Sequence, residues 1–139
     1  MYPEYITAPM RAELSESGFN ELKTASDVDQ FMQQTEGTAM LVINSVCGCA
    51  AAGARPGALQ ALHHAKKPNV SATVFAGVDQ EATQKAREYL LPYPPSSPSI
   101  AIFKDGKLVH LLERRHIEGR SAELIAQNLT LAFDQYCDA

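Results

Sequence analysis

The spacing of apolar positions changes along the chain in a way that predicts alternating strands and helices. An unbroken apolar run at 38–44 is typical of a strand covered on both faces. A second strand is predicted at 70–76, and a weaker pattern at 19–23 indicates a short edge strand. Apolar runs at 100–103 and 108–112, joined through Asp-Gly, predict a β-hairpin.

Helical patterns fill the segments between these strands. The predicted helices are 9–16 inside an N-terminal arm that reaches residue 18, one from Ser26 to Gly37, 49–66, 79–91, and a last one capped by Ser121. Ala and Leu dominate the third of these, and Pro56 is expected to kink it or to break its first turns. The order of elements predicts an α/β fold whose central mixed β-sheet has helices on both faces.

Composition and charge narrow the class of protein. The 139 residues fit a single domain, 1–139, with an ordinary globular balance of 45% hydrophobic and 20% charged residues. A net charge of −4 without a Lys/Arg stripe argues against a nucleic-acid partner. No apolar run approaches the roughly 18 residues of a membrane span and no secretory signal is visible, so we expect no membrane partner and a cytoplasmic location. Three cysteines do not suit a secreted disulfide scaffold.

The tripeptide Cys47-Gly48-Cys49 lies at the junction between the predicted strand at 38–44 and the following helix. Backbone N–H groups are unpaired at a helix start, and the helix dipole favours negative charge there. A thiolate is therefore stabilised at this position, and the thiolate is the reactive form of cysteine. The sequence thus predicts thiol chemistry at the two cysteines.

Further stretches accompany the tripeptide in order along the chain. They are Pro3-Glu4-Tyr5, Arg55-Pro56-Gly57, Ser96-Ser97-Pro98-Ser99 and His116-Ile117-Glu118-Gly119-Arg120, together with the segment from Val42 to Ala50 around the cysteines. With these stretches the chain resembles the bacilliredoxin family, in which Cys-Gly-Cys replaces the Cys-x-x-Cys of thioredoxin-like proteins. The resemblance covers nearly the whole chain and implies a thioredoxin-like fold.

The resemblance also implies a reaction, that of a thiol–disulfide oxidoreductase. Bacilliredoxins remove bacillithiol, a small glucosamine–malate–cysteine thiol, from mixed disulfides on client proteins. Cys47 would attack the mixed disulfide, and Cys49 or free bacillithiol would resolve the adduct. Bacillithiol is then a co-substrate, S-bacillithiolated proteins are the partners, and no cofactor is implied. The short ring between the cysteines further indicates a strained, readily reduced disulfide for which Gly48 supplies the bend.

Other side chains are candidates for supporting this chemistry. Pro98 precedes an apolar strand where thioredoxin-like proteins place a cis-proline facing the active thiol, so we expect a cis peptide bond there. Arg55 is a candidate for raising the local positive potential. His116 and Arg120 have two open interpretations, which are binding of the malate carboxylates of bacillithiol and a solvated or structural role.

Metal ligation and a third thiol are less favoured. A helical rise of about 1.5 Å per residue would separate His63 and His64 from Cys49 by roughly 20 Å, so no metal site is expected. Cys137 is expected to be incidental, with a role as a distant resolving thiol left open. Two alternative functions stay beside the leading one. They are a general protein disulfide reductase or isomerase, and a thiol-based metal-binding module that lacks a third ligand nearby in sequence.

Overall fold

The computed structural model describes residues 2–34 and 36–138, so Met1, Thr35 and Ala139 of the predicted domain lie outside the described residues. The strands in these ranges are β1 (Asn20–Glu21), β2 (Thr38–Asn44), β3 (Val70–Phe75), β4 (Ser99–Lys104) and β5 (Lys107–Leu112). They form one sheet in the order β1-β3-β2-β4-β5. β3 is parallel to β1 and β2, whereas β4 is antiparallel to β2 and β5, which confirms the predicted mixed sheet.

The helices lie on the two faces of this sheet. In the described ranges they are α1 (Glu4–Ser15), α2 (Ala25–Gln34), a π turn (Ala50–Ala54), α3 (Arg55–Ala61), α4 (Gln80–Glu88), α5 (Arg114–Ile117) and α6 (Ala122–Tyr136). None of these is both long and apolar enough to cross a lipid bilayer. The sequence does not predict α5, since four residues are too few to show a helical period.

Alternate side chains of the central strand β2 face opposite layers of helices. Met40 and Val42 pack in one core with residues of α1, α3 and α6. Leu41 and Ile43 pack in a second core with residues of α2 and α4. Every residue of β2 is buried, because successive side chains alternate between two covered faces. The prediction of helices on both faces is confirmed.

The predicted hairpin is formed by β4 and β5. These strands pair antiparallel and are joined by Asp105 and Gly106. Both residues have positive φ, 50° and 81°, which is the backbone of a type I′ turn. The Asp-Gly pair thus fits the two positions where most side chains would be strained.

Two helix starts differ from the prediction. α1 begins at Glu4 and contains Pro9, which the sequence analysis places at the helix start. Pro9 is exposed, so water can bond the carbonyl group that its missing N–H leaves without a partner. α2 is capped by Thr24 rather than Ser26. The Thr24 hydroxyl accepts from the Asp27 N–H at 3.0 Å, and the Asp27 carboxylate accepts from the Thr24 N–H at 3.2 Å.

The helix after the cysteines is shorter and less regular than predicted. It begins as the π turn and continues as α3, which ends at Ala61, several residues earlier than expected. In the π turn the Arg55 N–H donates to the Ala50 carbonyl, five residues back. Pro56 follows directly and has no N–H for an ordinary helical bond. The first turns are therefore irregular at Pro56, as predicted, although the π turn continues into α3 without a gap.

Two glycines allow the helix after the cysteines to approach α6 closely. A Cβ atom at Gly53 would lie 2.9 Å from the Cδ1 atom of Ile125, the tip of that side chain. A Cβ atom at Gly57 would lie 2.6 Å from Cγ2 and 2.9 Å from Cβ of Ile125. The second contact involves the branch point of a β-branched residue, which cannot move without its backbone. The packing of α3 on α6 therefore depends on Gly57.

Gly57→Ala is expected to lower the free energy of unfolding by about 1–3 kcal/mol, because the added methyl group overpacks a core with no room to relax. Urea denaturation measures this change. Gly48→Ala is the matched control, since a Cβ at Gly48 meets no atom within 4 Å. Its free energy of unfolding should stay within about 0.5 kcal/mol of wild type. Equal stability of the two variants would contradict the close packing.

Candidate active site

Both cysteines of the tripeptide lie just beyond the carboxyl end of β2, where the loop enters the π turn. Cys47 and Cys49 are half-buried free thiols whose Sγ atoms are 2.7 Å apart and share a hydrogen bond. Gly48 between them is exposed. The structure thus brings the two predicted cysteines together at one end of the sheet.

Ser45 forms two hydrogen bonds with Cys47. Its hydroxyl donates a hydrogen bond to Cys47 Sγ at 3.1 Å and accepts one from the Cys47 N–H at 3.4 Å. The Ser45 N–H donates to Asn44 Oδ1 at 2.9 Å, which fixes the serine against the end of β2. The sequence analysis missed Ser45, whose only signal is its place two residues before Cys47.

The environment of Cys47 favours its thiolate. Partial burial raises the pKa of Cys47, but hydrogen bonds lower it by more. The donors are the Cys49 thiol, the Ser45 hydroxyl and the backbone N–H groups of Ala50 and Cys49. Because each donor stabilises negative charge on sulfur, the pKa of Cys47 lies below its ordinary value.

Cys49 has the opposite character. Burial raises the pKa of Cys49, and the hydrogen bond to Cys47 and the negative charge of Cys47 raise it further. The charge of Arg114 opposes these effects without overcoming them. Cys49 therefore stays protonated while Cys47 is ionised. This polarity supports Cys47 as the attacking residue, which stays a prediction.

Arg55 lies beneath the cysteine loop and is only 1% exposed. Its Nη1 donates to Asn44 Oδ1 and to the Ser45 carbonyl, each at 2.9 Å, and its Nε donates to a Glu13 carboxylate oxygen at 3.0 Å. These bonds join α1, the end of β2 and α3. The contacts hold the loop in place, whereas the prediction that Arg55 raises the potential at the thiols is not tested by them.

Pro98 lies beside the cysteine loop. The Ser97–Pro98 peptide bond is cis, as predicted. The next residue, Ser99, pairs with Ile43 in the antiparallel ladder of β2 and β4. β2 continues from Ile43 toward Ser45 and the cysteines, so the loop that ends in Pro98 runs alongside them. A direct role of Pro98 toward the thiols stays a prediction.

Arg114 is a second residue that the sequence analysis missed. Its backbone N–H donates to Ser96 Oγ at 2.8 Å, and its Nη1 donates to the Ser97 carbonyl at 3.3 Å. Its positive charge interacts with both Cys47 and Cys49. No local pattern marks Arg114, because only strand pairing brings the start of α5 to the loop before Pro98.

The contacts of His116 and Arg120 support the structural interpretation. His116 Nδ1 accepts from the Glu113 N–H at 3.0 Å, which closes a cap on α5. Arg120 Nη1 donates to the carbonyl groups of His116 at 2.8 Å and of Arg115 at 3.1 Å. Both side chains thus bond the backbone of the short α5.

The remaining candidates lie away from the thiols. Cys137 is buried near Thr38 at the start of β2, and β2 separates it from Cys47 by about 20 Å. His64 Nε2 lies 2.8 Å from a carboxylate oxygen of Asp134 on α6, on an exposed surface. Within residues 2–34 and 36–138, no group of three His, Cys, Asp or Glu side chains could hold a metal ion.

Comparisons with known proteins agree with this geometry. A family model described as disulphide isomerase matches residues 2–137. A bacilliredoxin of Cytophaga hutchinsonii is 62% identical over 97% of this chain and 99% of its own length. A bacilliredoxin of Halalkalibacterium halodurans is 51% identical over 99% of this chain and 95% of its own.

Solved thioredoxins share the fold at low sequence identity. Reduced thioredoxin of Schistosoma mansoni has a TM-score of 0.57 at 17% identity, covering 84% of this chain and 98% of that one. A thioredoxin variant of Halobacterium salinarum has a TM-score of 0.60 at 11% identity, covering 88% and 94%. The thioredoxin-like fold and the paired thiols define a thiol–disulfide oxidoreductase. Within that class, the chain belongs to the bacilliredoxin family.

Alkylation by iodoacetamide tests the polarity of the thiol pair. The neutral reagent attacks thiolates, so we expect Cys47 to react first and its rate to rise with pH around a midpoint below that of a free cysteine. Ser45→Ala removes one donor and should slow Cys47 alkylation at pH 7 by about three- to tenfold. Tandem mass spectrometry locates the modified cysteine.

Ser26→Ala is the control for this experiment, because Ser26 lies in α2 on the other side of the sheet. Its alkylation profile should match that of wild type. First modification of Cys49, or an unchanged rate in Ser45→Ala, would contradict the assignment.

Proposed function

We propose that this protein removes bacillithiol from S-bacillithiolated proteins. One observation carries the proposal, namely the polarised pair in which the Cys49 thiol lies 2.7 Å from the sulfur of Cys47. Curated relatives that match nearly the full chain carry the name bacilliredoxin. A thiolate next to a protonated thiol is what a two-step exchange needs, because one sulfur attacks while the other is held in reserve.

In the first step, the Cys47 thiolate attacks the bacillithiol sulfur of the mixed disulfide. A new S–S bond forms between Cys47 and bacillithiol, and the bond between bacillithiol and the client breaks. The client cysteine leaves as a thiolate and takes up a proton from solvent. Its hydrogen bond to Ser45 orients Cys47 for this attack.

The second step resolves the adduct in one of two ways. Cys49 can lose its proton to water and attack Cys47 Sγ, which releases bacillithiol as a thiolate and leaves a Cys47–Cys49 disulfide. Two molecules of a small thiol must then reduce that disulfide by two electrons, which frees both cysteines and leaves the two small thiols joined as a disulfide. In the other route, a second bacillithiol thiolate attacks the bacillithiol sulfur of the adduct, giving bacillithiol disulfide and regenerating Cys47. Bacillithiol is a co-substrate in both routes.

Gly48 lies between the two cysteines and affects the disulfide that they can form. It is exposed, and an added Cβ would meet no atom within 4 Å, so steric crowding does not require glycine here while both thiols are free. We assign its purpose to the oxidised pair, where the short ring between the cysteines needs backbone freedom. A ring of that size is strained and readily reduced, which suits exchange with a small thiol better than strong reduction.

Client proteins would approach over the loop that ends in Pro98. That loop runs beside the cysteines, since Ser99 at its end pairs with Ile43 of β2, and we expect the client backbone to bond to it. We place the reaction in the cytoplasm, because both cysteines must return to the thiol form between turnovers, and a reducing compartment keeps them so.

A general disulfide reductase or isomerase is the second candidate, because the matching family model is described as disulphide isomerase. Such an enzyme would use Cys47 in the same way but would attack a disulfide between two protein cysteines. The two candidates differ in which sulfur partner Cys47 accepts, and one experiment separates them.

The reduced protein is mixed with a client that carries one bacillithiolated cysteine and, separately, with a client that has one intramolecular disulfide. We expect faster reaction with the first, and mass spectrometry should find bacillithiol on Cys47. Cys47→Ser should reduce transfer to the uncatalysed rate, because serine is not a nucleophile toward disulfides. Cys49→Ala should accumulate the adduct, since the internal route of resolution is lost.

Cys137→Ser is the matched control, because Cys137 lies at the far end of β2 and should not affect transfer. Faster reaction with the intramolecular disulfide would favour the isomerase. Transfer by Cys47→Ser, or an adduct found first on Cys49, would refute the assigned roles.

A further inference from the structure

Arg114 is a positively charged residue whose charge interacts with both thiols, and the exchange steps do not use it. Its Nη1 donates to the Ser97 carbonyl, and its N–H donates to Ser96 Oγ. These bonds hold it against the loop that ends in Pro98, which lies beside the cysteines through the pairing of Ser99 with Ile43. Arg114 is thus held at the end of the sheet that carries the cysteines, where its charge interacts with both of them.

The guanidinium of Arg114 has spare hydrogen-bonding capacity. An arginine has five N–H donors. Nε and Nη2 donate to one carboxylate oxygen of Glu118, at 3.1 Å and 3.0 Å, and Nη1 donates to Ser97. In the part of the chain that the structure describes, one N–H on each terminal nitrogen is left for another acceptor. A carboxylate takes two such N–H bonds from an arginine.

The ion pair with Glu118 does not prevent Arg114 from binding a second carboxylate. Its side chains are 46% exposed for Arg114 and 60% exposed for Glu118. Exposed pairs of this kind contribute little free energy, because water solvates both charges well. A carboxylate on an incoming molecule can therefore share the guanidinium with Glu118 or displace it.

The neighbouring arginines cannot take this role equally well. Arg55 is buried and bonded to Glu13. Arg120 donates to two backbone carbonyl groups of α5. Arg115 pairs with Glu113 at 3.3 Å. The charge of Arg114, by contrast, interacts with both cysteines.

We propose that Arg114 binds a carboxylate of the low-molecular-weight thiol that is transferred to Cys47, and that it thereby makes the site selective for anionic thiols. Glu118 competes for the same guanidinium and limits the strength of that selection. The inference rests on the proposed function, in which the malate of bacillithiol supplies the carboxylates. Arg114 forms no bond to sulfur, so the exchange steps stay as written above.

Two alkylating reagents test the charge effect without any bacillithiol. Iodoacetate is anionic and iodoacetamide is neutral, while in both the Cys47 thiolate displaces iodide from carbon. The ratio of their rates at one pH cancels the fraction of thiolate and reports the local potential. Arg114→Gln should lower the ratio of iodoacetate to iodoacetamide by about two- to fivefold. Glu118→Gln should raise it, and Arg114→Lys should keep most of it.

Arg115→Gln is the matched control, since it removes an equal charge from the adjacent position. Its ratio should equal that of wild type. If Arg114 only positions the loop, both rates fall together in Arg114→Gln and the ratio is unchanged, which would overturn the proposal. An equal loss in Arg115→Gln would overturn it as well, because the effect would then be one of net charge.

A second set of measurements uses transfer from mixed disulfides. For a bacillithiolated client, Arg114→Gln should raise KM by about two- to fivefold with little change in kcat. For the same client modified with cysteamine, whose amino group is positive, KM should not rise. Equal KM changes for both adducts would contradict selection by charge.

These outcomes separate the two proposals. A protein that fails to transfer bacillithiol but loses the iodoacetate preference in Arg114→Gln would refute the proposed function and support an anion-selective thiol site. A protein that transfers bacillithiol with KM and rate ratio unchanged in Arg114→Gln would support the function and refute the role of Arg114.

Discussion

Burial of the Arg55 guanidinium under the cysteine loop is the constraint on which the active end of this protein depends. Moving such a charge out of water costs several kcal/mol unless hydrogen bonds replace the lost water. Asn44, the Ser45 carbonyl and Glu13 provide those bonds. The same bonds fix Ser45, which contacts Cys47. The hydrogen bonds that a buried charge requires therefore also hold the reactive loop in one conformation.

Few contacts separate the Arg55 guanidinium from the sulfur of Cys47. Asn44 accepts from Arg55 and from the Ser45 N–H, and its side-chain amide donates to the Met10 carbonyl of α1. Ser45 is thereby held with its hydroxyl toward the sulfur of Cys47. The polarity of the thiol pair follows, because Cys47 gains donors while Cys49 gains a negative neighbour. A loop without this support would lose the fixed position of the Ser45 hydroxyl, one of the donors that lower the pKa of Cys47.

Much of this architecture could be predicted from the sequence, for identifiable reasons. The apolar run of β2 and the Asp-Gly turn have periodicities and backbone demands that are local, so their positions agree with the prediction. Cys47 and Cys49 stand out because a strand meets a helix at them. The predicted start of α1 is wrong, since a single exposed proline can be tolerated inside a helix as well as at its first turn.

The supporting residues could not be predicted in the same way. Ser45 acts through its proximity to Cys47 in a turn, and no periodicity marks that contact. Arg114 is distant in sequence from the cysteines and reaches them through two strand pairings, that of β2 with β4 and that of β4 with β5. Arg55 could be singled out as a charge near the active helix, but its burial depends on α1, β2 and α3 meeting at one point.

The central claim is that Arg55 holds the loop that presents hydrogen-bond donors to Cys47, so that Cys47 is the thiolate and Cys49 the thiol. Cysteine labelled with ¹³C at Cβ allows both residues to be titrated separately by NMR in the reduced protein. We expect Cys47 to titrate below a free cysteine and Cys49 above it, with the two midpoints moving closer together in Arg55→Gln. Titration of Cys49 before Cys47, or equal midpoints in the wild-type protein, would contradict the account.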